Sequence, residues 1–101
     1  GRTALHWAVG QGKAEVAYHL LRCGANPEIQ DRNGKTPLSL AAGLGFLDVA
    51  TTLISAGADI RRGDIWGSTP LHNAAMRDHP EIMLLLFKAG AELDVRNGVG
   101  E

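Results

Sequence analysis

Thr69-Pro70-Leu71-His72-Asn73-Ala74-Ala75 is the stretch from which the fold can be read, because the chain writes it three times. Thirty-three residues earlier stands Thr36-Pro37-Leu38-Ser39-Leu40-Ala41-Ala42, and thirty-three before that Thr3-Ala4-Leu5-His6-Trp7-Ala8. Extending the register outward, Gly1, Gly34 and Gly67 fall in step, then Leu20, Leu53 and Leu86, then Gly24-Ala25, Gly57-Ala58 and Gly90-Ala91. Aligning residues 1–33, 34–66 and 67–99 leaves seven columns identical in all copies. Average residue usage would leave roughly a tenth of one. A fixed period of this length signals a stack of like units.

Each unit has a local physical reading. Thr3, Thr36 and Thr69 are helix caps, since a Thr hydroxyl accepts an otherwise orphaned N–H, and Pro37 and Pro70 suit the first helical position. A helix of about eight residues follows, with Ala8, Ala41, Ala42, Ala74 and Ala75 small enough for close packing. Gly12 and Gly45 then break it. The third copy has Asp78 in that place, a residue that tolerates left-handed backbone, and Pro80 opens its second helix, where proline is acceptable. The second helices carry Val16, Leu20 and Leu21, then Val49, Leu53 and Ile54, then Ile82, Leu86 and Phe87, an apolar stripe along one face. Gly24, Gly57 and Gly90 are expected to stop them. Asn33-Gly34 is a tight-turn signal. The unit is therefore helix, turn, helix, then a projecting β-hairpin or loop. Two such helices cannot bury their apolar faces alone, so the units must stack into a solenoid.

The overall arithmetic agrees. The chain has 101 residues, enough for one domain spanning 1–101. It is 45% hydrophobic and 21% charged, with a formal charge of -1. That balance gives no electrostatic case for nucleic acid or an anionic membrane. Its longest run of Val, Leu, Ile, Met and Phe, 82–87, is too short to span a bilayer. The single cysteine, Cys23, excludes an intrachain disulfide.

The titratable residues read as structural. His19 and Cys23 lie four apart on one helix, but no second His/Cys pair stands at zinc spacing. Cys23 reads as a buried or half-buried thiol and His19 as a surface residue. Asp31, Asp48, Asp59, Asp64, Glu15 and Glu81 recur with the period, which suits caps and turns. No phosphate-binding glycine loop is present. No catalytic, metal or cofactor residue and no small-molecule substrate is therefore expected. Arg61-Arg62, and Arg32 with Lys35, make small basic clusters near successive turns. Ile65-Trp66 is apolar where the preceding copy has Arg32-Asn33, and a turn tip normally takes polar residues. Trp7, beside Ala8, reads as core or groove floor.

The period and the Thr-Pro-Leu-His-x-Ala core resemble the ankyrin repeat. The third copy matches it completely; Ser39 and Ala4 are departures. The resemblance covers the whole chain and implies an all-α solenoid, with a helix-turn-helix and a short β-hairpin or loop in each repeat. It implies repeats at approximately 1–30, 31–63 and 64–96, with a further repeat starting at 97–101, in an excerpt of a longer array. It implies that His6 and His72 hydrogen-bond backbone and tie neighbouring repeats, and Ser39 can donate and accept similarly. It also implies a protein–protein interaction module whose tips and first-helix faces line a concave groove. On that surface fall Arg2, Gln11, Arg32, Asn33, Lys35, Leu44, Ile65, Trp66, Ser68, Met76 and Arg77. Leu44, Met76, Ile65 and Trp66 would form its apolar centre and Arg32, Lys35 and Arg77 its rim. The expected partner is a protein, in the cytoplasm or nucleus. Spacer segment of an array, or auxiliary segment of a multidomain enzyme or signalling protein, are the alternative functions. Neither end presents a polar face, so self-association through the end repeats is a further expectation.

Overall fold

A computed structural model of the chain describes residues 3–97, with side chains described to residue 90. Six helices form three successive pairs: α1 (Ala4–Gly10) with α2 (Ala14–Arg22), α3 (Pro37–Leu44) with α4 (Leu47–Ser55), and α5 (Pro70–Met76) with α6 (Pro80–Asn97). α1, α3 and α5 pack side by side as one layer, and α2, α4 and α6 as a second. The apolar core lies between the layers.

The caps form as the residue types require. The hydroxyls of Thr3, Thr36 and Thr69 accept the N–H groups of His6, Ser39 and His72. His6 and His72 reach back to the Thr N–H groups, completing reciprocal caps, whereas Ser39 does not. Gly12, Gly45 and Asp78 take the left-handed conformation between paired helices, with φ of 70°, 80° and 58°. Asp78 is the only non-glycine residue with positive φ among the described residues.

Stacking decides burial. Val49, Ala50 and Leu53 of the central α4 are fully buried, because units cover them on both sides. Their counterparts in the end units are covered less evenly: Val16 is exposed and Leu20 and Met83 are half-buried, whereas Ala17, Ile82 and Leu86 stay buried.

Between the pairs the chain takes the loop alternative; no strand occurs among the described residues. Each projecting segment closes on itself. Asp31 N–H donates to the Lys35 carbonyl at 3.0 Å, and Asp64 N–H to the Ser68 carbonyl at 3.0 Å. The carboxylates supply what a strand partner otherwise would. Asp31 Oδ1 accepts the N–H groups of Asn33 and Lys35, and Asp64 Oδ1 those of Trp66 and Ser68. The two tips then stack, with Ile65 N–H donating to the Asn33 carbonyl at 3.1 Å.

Three expectations are corrected. Gly90 does not stop its helix; α6 continues to Asn97. Gly24 and Gly57 do turn left-handed, with φ of 100° and 92°, and the next residue's N–H bonds back to Leu20 or Leu53. Leaving the helix after Gly24 is favoured by a contact with the next unit, where the Glu28 carboxylate accepts the Asp59 N–H. No following unit supplies such contacts to Gly90 among the described residues, and a glycine inside a helix costs only about 0.5–1 kcal/mol. Cys23 is exposed rather than buried, because it caps α2 beyond the last packed turn. Trp7 is exposed rather than core, on a row of the first layer continued by Leu40 and Asn73.

Candidate functional site

The residues that build a binding surface come from three places in each unit: the loop tip, the start of the first helix and its last turn. The Asp turns hold the tips rigidly, and the Thr caps fix where each first helix begins. Between α3 and α5 these parts enclose an open pocket of about 350 Å³.

Six of the residues expected at the partner surface line this pocket: Lys35, Leu44, Trp66, Ser68, Met76 and Arg77. Trp66 is 66% exposed and Met76 77% exposed, an unusual freedom for large apolar groups side by side with charge. Arg77 caps α5 and is exposed. Gln11, Arg32, Asn33 and Ile65 are exposed but lie outside the pocket; Ile65 packs on the preceding tip beside Gly34. Arg2 lies outside the described residues.

One ion pair organises the centre. Lys35 Nζ donates to Asp64 Oδ2 at 3.0 Å, joining the base of one tip to the next, and stands 5.8 Å from the Trp66 ring centroid. The pair thus orients the indole by a cation–π contact. Burial pushes the Asp64 carboxyl up. The Lys35 hydrogen bond and the N–H groups of Ser68 and Trp66 outweigh it, and hold the group below its ordinary 3.8.

The sequence reading passed over four lining residues: Leu40, Gly43, Asp64 and Asn73. Leu40 and Asn73 share a repeat column with Trp7, and that alignment could have placed them. Ser39 also lines the pocket, and here an expectation fails. His6 Nδ1 accepts the Thr3 N–H at 3.2 Å, so its Nε2 carries the proton and donates to the Lys35 carbonyl at 3.2 Å. The hydroxyl of Ser39, two bonds shorter in reach, makes no equivalent bond to the next unit and has no partner among the described residues. The Asn73 Nδ2 group, also buried, is likewise unpartnered there. His72 keeps its cap but bonds no further unit among the described residues.

Chemically the pocket sets an exposed indole and thioether beside a lysine, an arginine and a paired carboxylate. Among the described residues no group of three or more His, Cys, Asp or Glu is placed to hold a metal. No helix there is long and apolar enough to cross a membrane. Compared with known proteins, residues 5–97 match a family model described as ankyrin repeats, in three copies. No curated protein matches the chain.

Proposed function

The chain belongs to the ankyrin repeat family, whose repeats generally serve protein–protein interaction, and from that premise we propose that it grips a partner protein through the groove between α3 and α5 and the adjoining tips. The observation that carries this reading is the convergence of Lys35, Leu44, Trp66, Met76 and Arg77, from separate segments, on one open pocket. Tryptophan and arginine are the residue types that most often anchor interfaces. The mechanism is rigid display. Stacked units hold the tips before the partner arrives, so little ordering entropy is lost on binding. Specificity then resides in the residues that do not repeat: Trp66 against Asn33, Met76 against Gly43 and Gly10, Arg77 against Leu44 and Gln11. A single, exposed thiol fits a reducing compartment, cytoplasmic or nuclear.

The test is a lysate pull-down with the wild-type chain beside an Ile65→Ser, Trp66→Ser double variant, both verified as folded by circular dichroism. Proteins held by the wild type and lost by the variant support the groove. Equal recovery from both would remove the tip from the reading and move the function toward that of a spacer.

A further inference from the structure

The three units carry different chemistry where their first helices end. One alignment column holds Gln11, Leu44 and Arg77, and the column before it Gly10, Gly43 and Met76. The pocket between α3 and α5 therefore has Leu44 from one helix and Met76 with Arg77 from the other, and Trp66 from the tip. All four are exposed. The same columns between α1 and α3 supply Gln11 and Leu44 and no cation. A cation at a helix end beside apolar side chains is thus particular to this groove among the described residues.

Three charged side chains line the pocket, and they are not equally available. Asp64 is closed off: its side chain is 1% exposed, Oδ1 accepts two N–H groups and Oδ2 holds Lys35. Lys35 is 26% exposed and gives Asp64 one of its three N–H donors. Arg77 is exposed, and its guanidinium makes no hydrogen bond or ion pair among the described residues. Asp78, the next residue, does not line the pocket. The charge that reaches the groove is therefore positive, and it shares the pocket with an indole, a thioether and a leucine side chain. A guanidinium is a planar fork that a carboxylate fits. Phosphate alone would meet the charge and leave the apolar walls wet. A polyanion would meet a chain whose formal charge is -1.

We infer that the groove between α3 and α5 receives an extended, acidic segment of a partner protein, with a carboxylate side chain on Arg77 and a large aliphatic side chain against Met76, Leu44 and Trp66. The two side chains stand two residues apart in the partner, because residues i and i+2 share one face of an extended chain. Lys35 adds its field to that of Arg77. The inference rests on the groove reading and adds to it the chemistry of the partner.

Acetyl-Glu-Gly-Leu-amide is the probe, with acetyl-Gln-Gly-Leu-amide as its neutral isostere. Each is titrated into the ¹⁵N-labelled chain and followed by NMR. The acidic peptide should shift the Trp66 indole and Arg77 amide signals saturably, and bind about fivefold more tightly than the isostere. Arg77→Gln, at an exposed position, should keep the fold and bring the two peptides to equal affinity. Met76→Ser should weaken both peptides alike. Inorganic phosphate at equal concentration should not displace the acidic peptide. Equal affinity of the two peptides for the wild type, no saturable shift, a preference that survives Arg77→Gln, binding indifferent to Met76→Ser, or displacement by phosphate would each overturn the inference. Trp66-dependent capture from lysate together with equal peptide affinities would sink the acidic contact and leave the groove. A preference for the acidic peptide without such capture would count against the groove reading alone.

Discussion

Asp64 shows how much one side chain does here. Its carboxylate turns the tip by accepting two N–H groups, then pairs with Lys35 and so steadies Trp66. Its folded pKa lies below the ordinary 3.8. A depressed carboxylate contributes fully above the unfolded value, and the contribution disappears as pH falls through the folded one. The urea midpoint should therefore drop below about pH 4, and Asp64→Asn should flatten part of that drop while lowering the neutral-pH midpoint. Superimposable pH profiles would contradict the assignment. The two histidines make a second comparison. His6 is wholly buried and joins two units, whereas His72 is exposed and, among the described residues, caps its own helix alone. His6→Ala should cost about 2–3 kcal/mol, and His72→Ala less than about 1 kcal/mol, by chemical denaturation. At this scale the caps were legible from Thr and the proline that follows it in two of the copies. The failure of Ser39 was not, because reach across a contact is a distance that no spacing encodes.

At the scale of elements, a glycine's role depends on what faces it. Gly57 is left-handed with nothing near its missing Cβ, so Gly57→Ala meets only backbone strain, about 1–2 kcal/mol. Gly34 is left-handed too, but a Cβ there would stand 2.9 Å from the Ile65 backbone nitrogen. Gly34→Ala should also break the Ile65–Asn33 hydrogen bond between tips, raising the loss to about 2–3 kcal/mol. Equal thermal shifts for the two variants would mean that the tips do not stack. Helix starts, inter-helix turns and the position of Pro80 could all be read from residue types, since caps and breakers act within a few residues. The passage of α6 through Gly90 could not, because a glycine permits a stop and only surrounding contacts enforce it.

The whole molecule is a stack whose middle is sealed and whose last described unit is open. Leu71 is 38% exposed where its counterpart Leu38 is fully buried, and Leu84 and Phe87 beside it are exposed as well. These residues form a continuous apolar hollow with Met83 and Ala75. Such a face, on the pattern that neighbouring units cover, should drive association between chains. Sedimentation should give a mass that rises with concentration, and a Leu84→Lys, Phe87→Glu double variant should remain monomeric. A wild-type chain that stays monomeric over the same range would refute this. The end face was foreseeable from the 3.6-residue periodicity of the second helices, whose stripes have no polar counterpart in the third copy.

The sequence by itself determined the unit and its period, because caps, breakers and apolar stripes are local and recur every thirty-three residues. It also singled out Trp66 as apolar at a turn tip, and the family resemblance placed Met76 on the same surface. Only the tertiary structure decided that these two share a pocket with Lys35 and Arg77, and that Asn73 and Ser39 lie in its wall with polar atoms unmet among the described residues. The physical reason is that a groove belongs to the contact between units. Its width follows from which side chains reach across, and in this chain a serine stands where a histidine bridges the neighbouring contact.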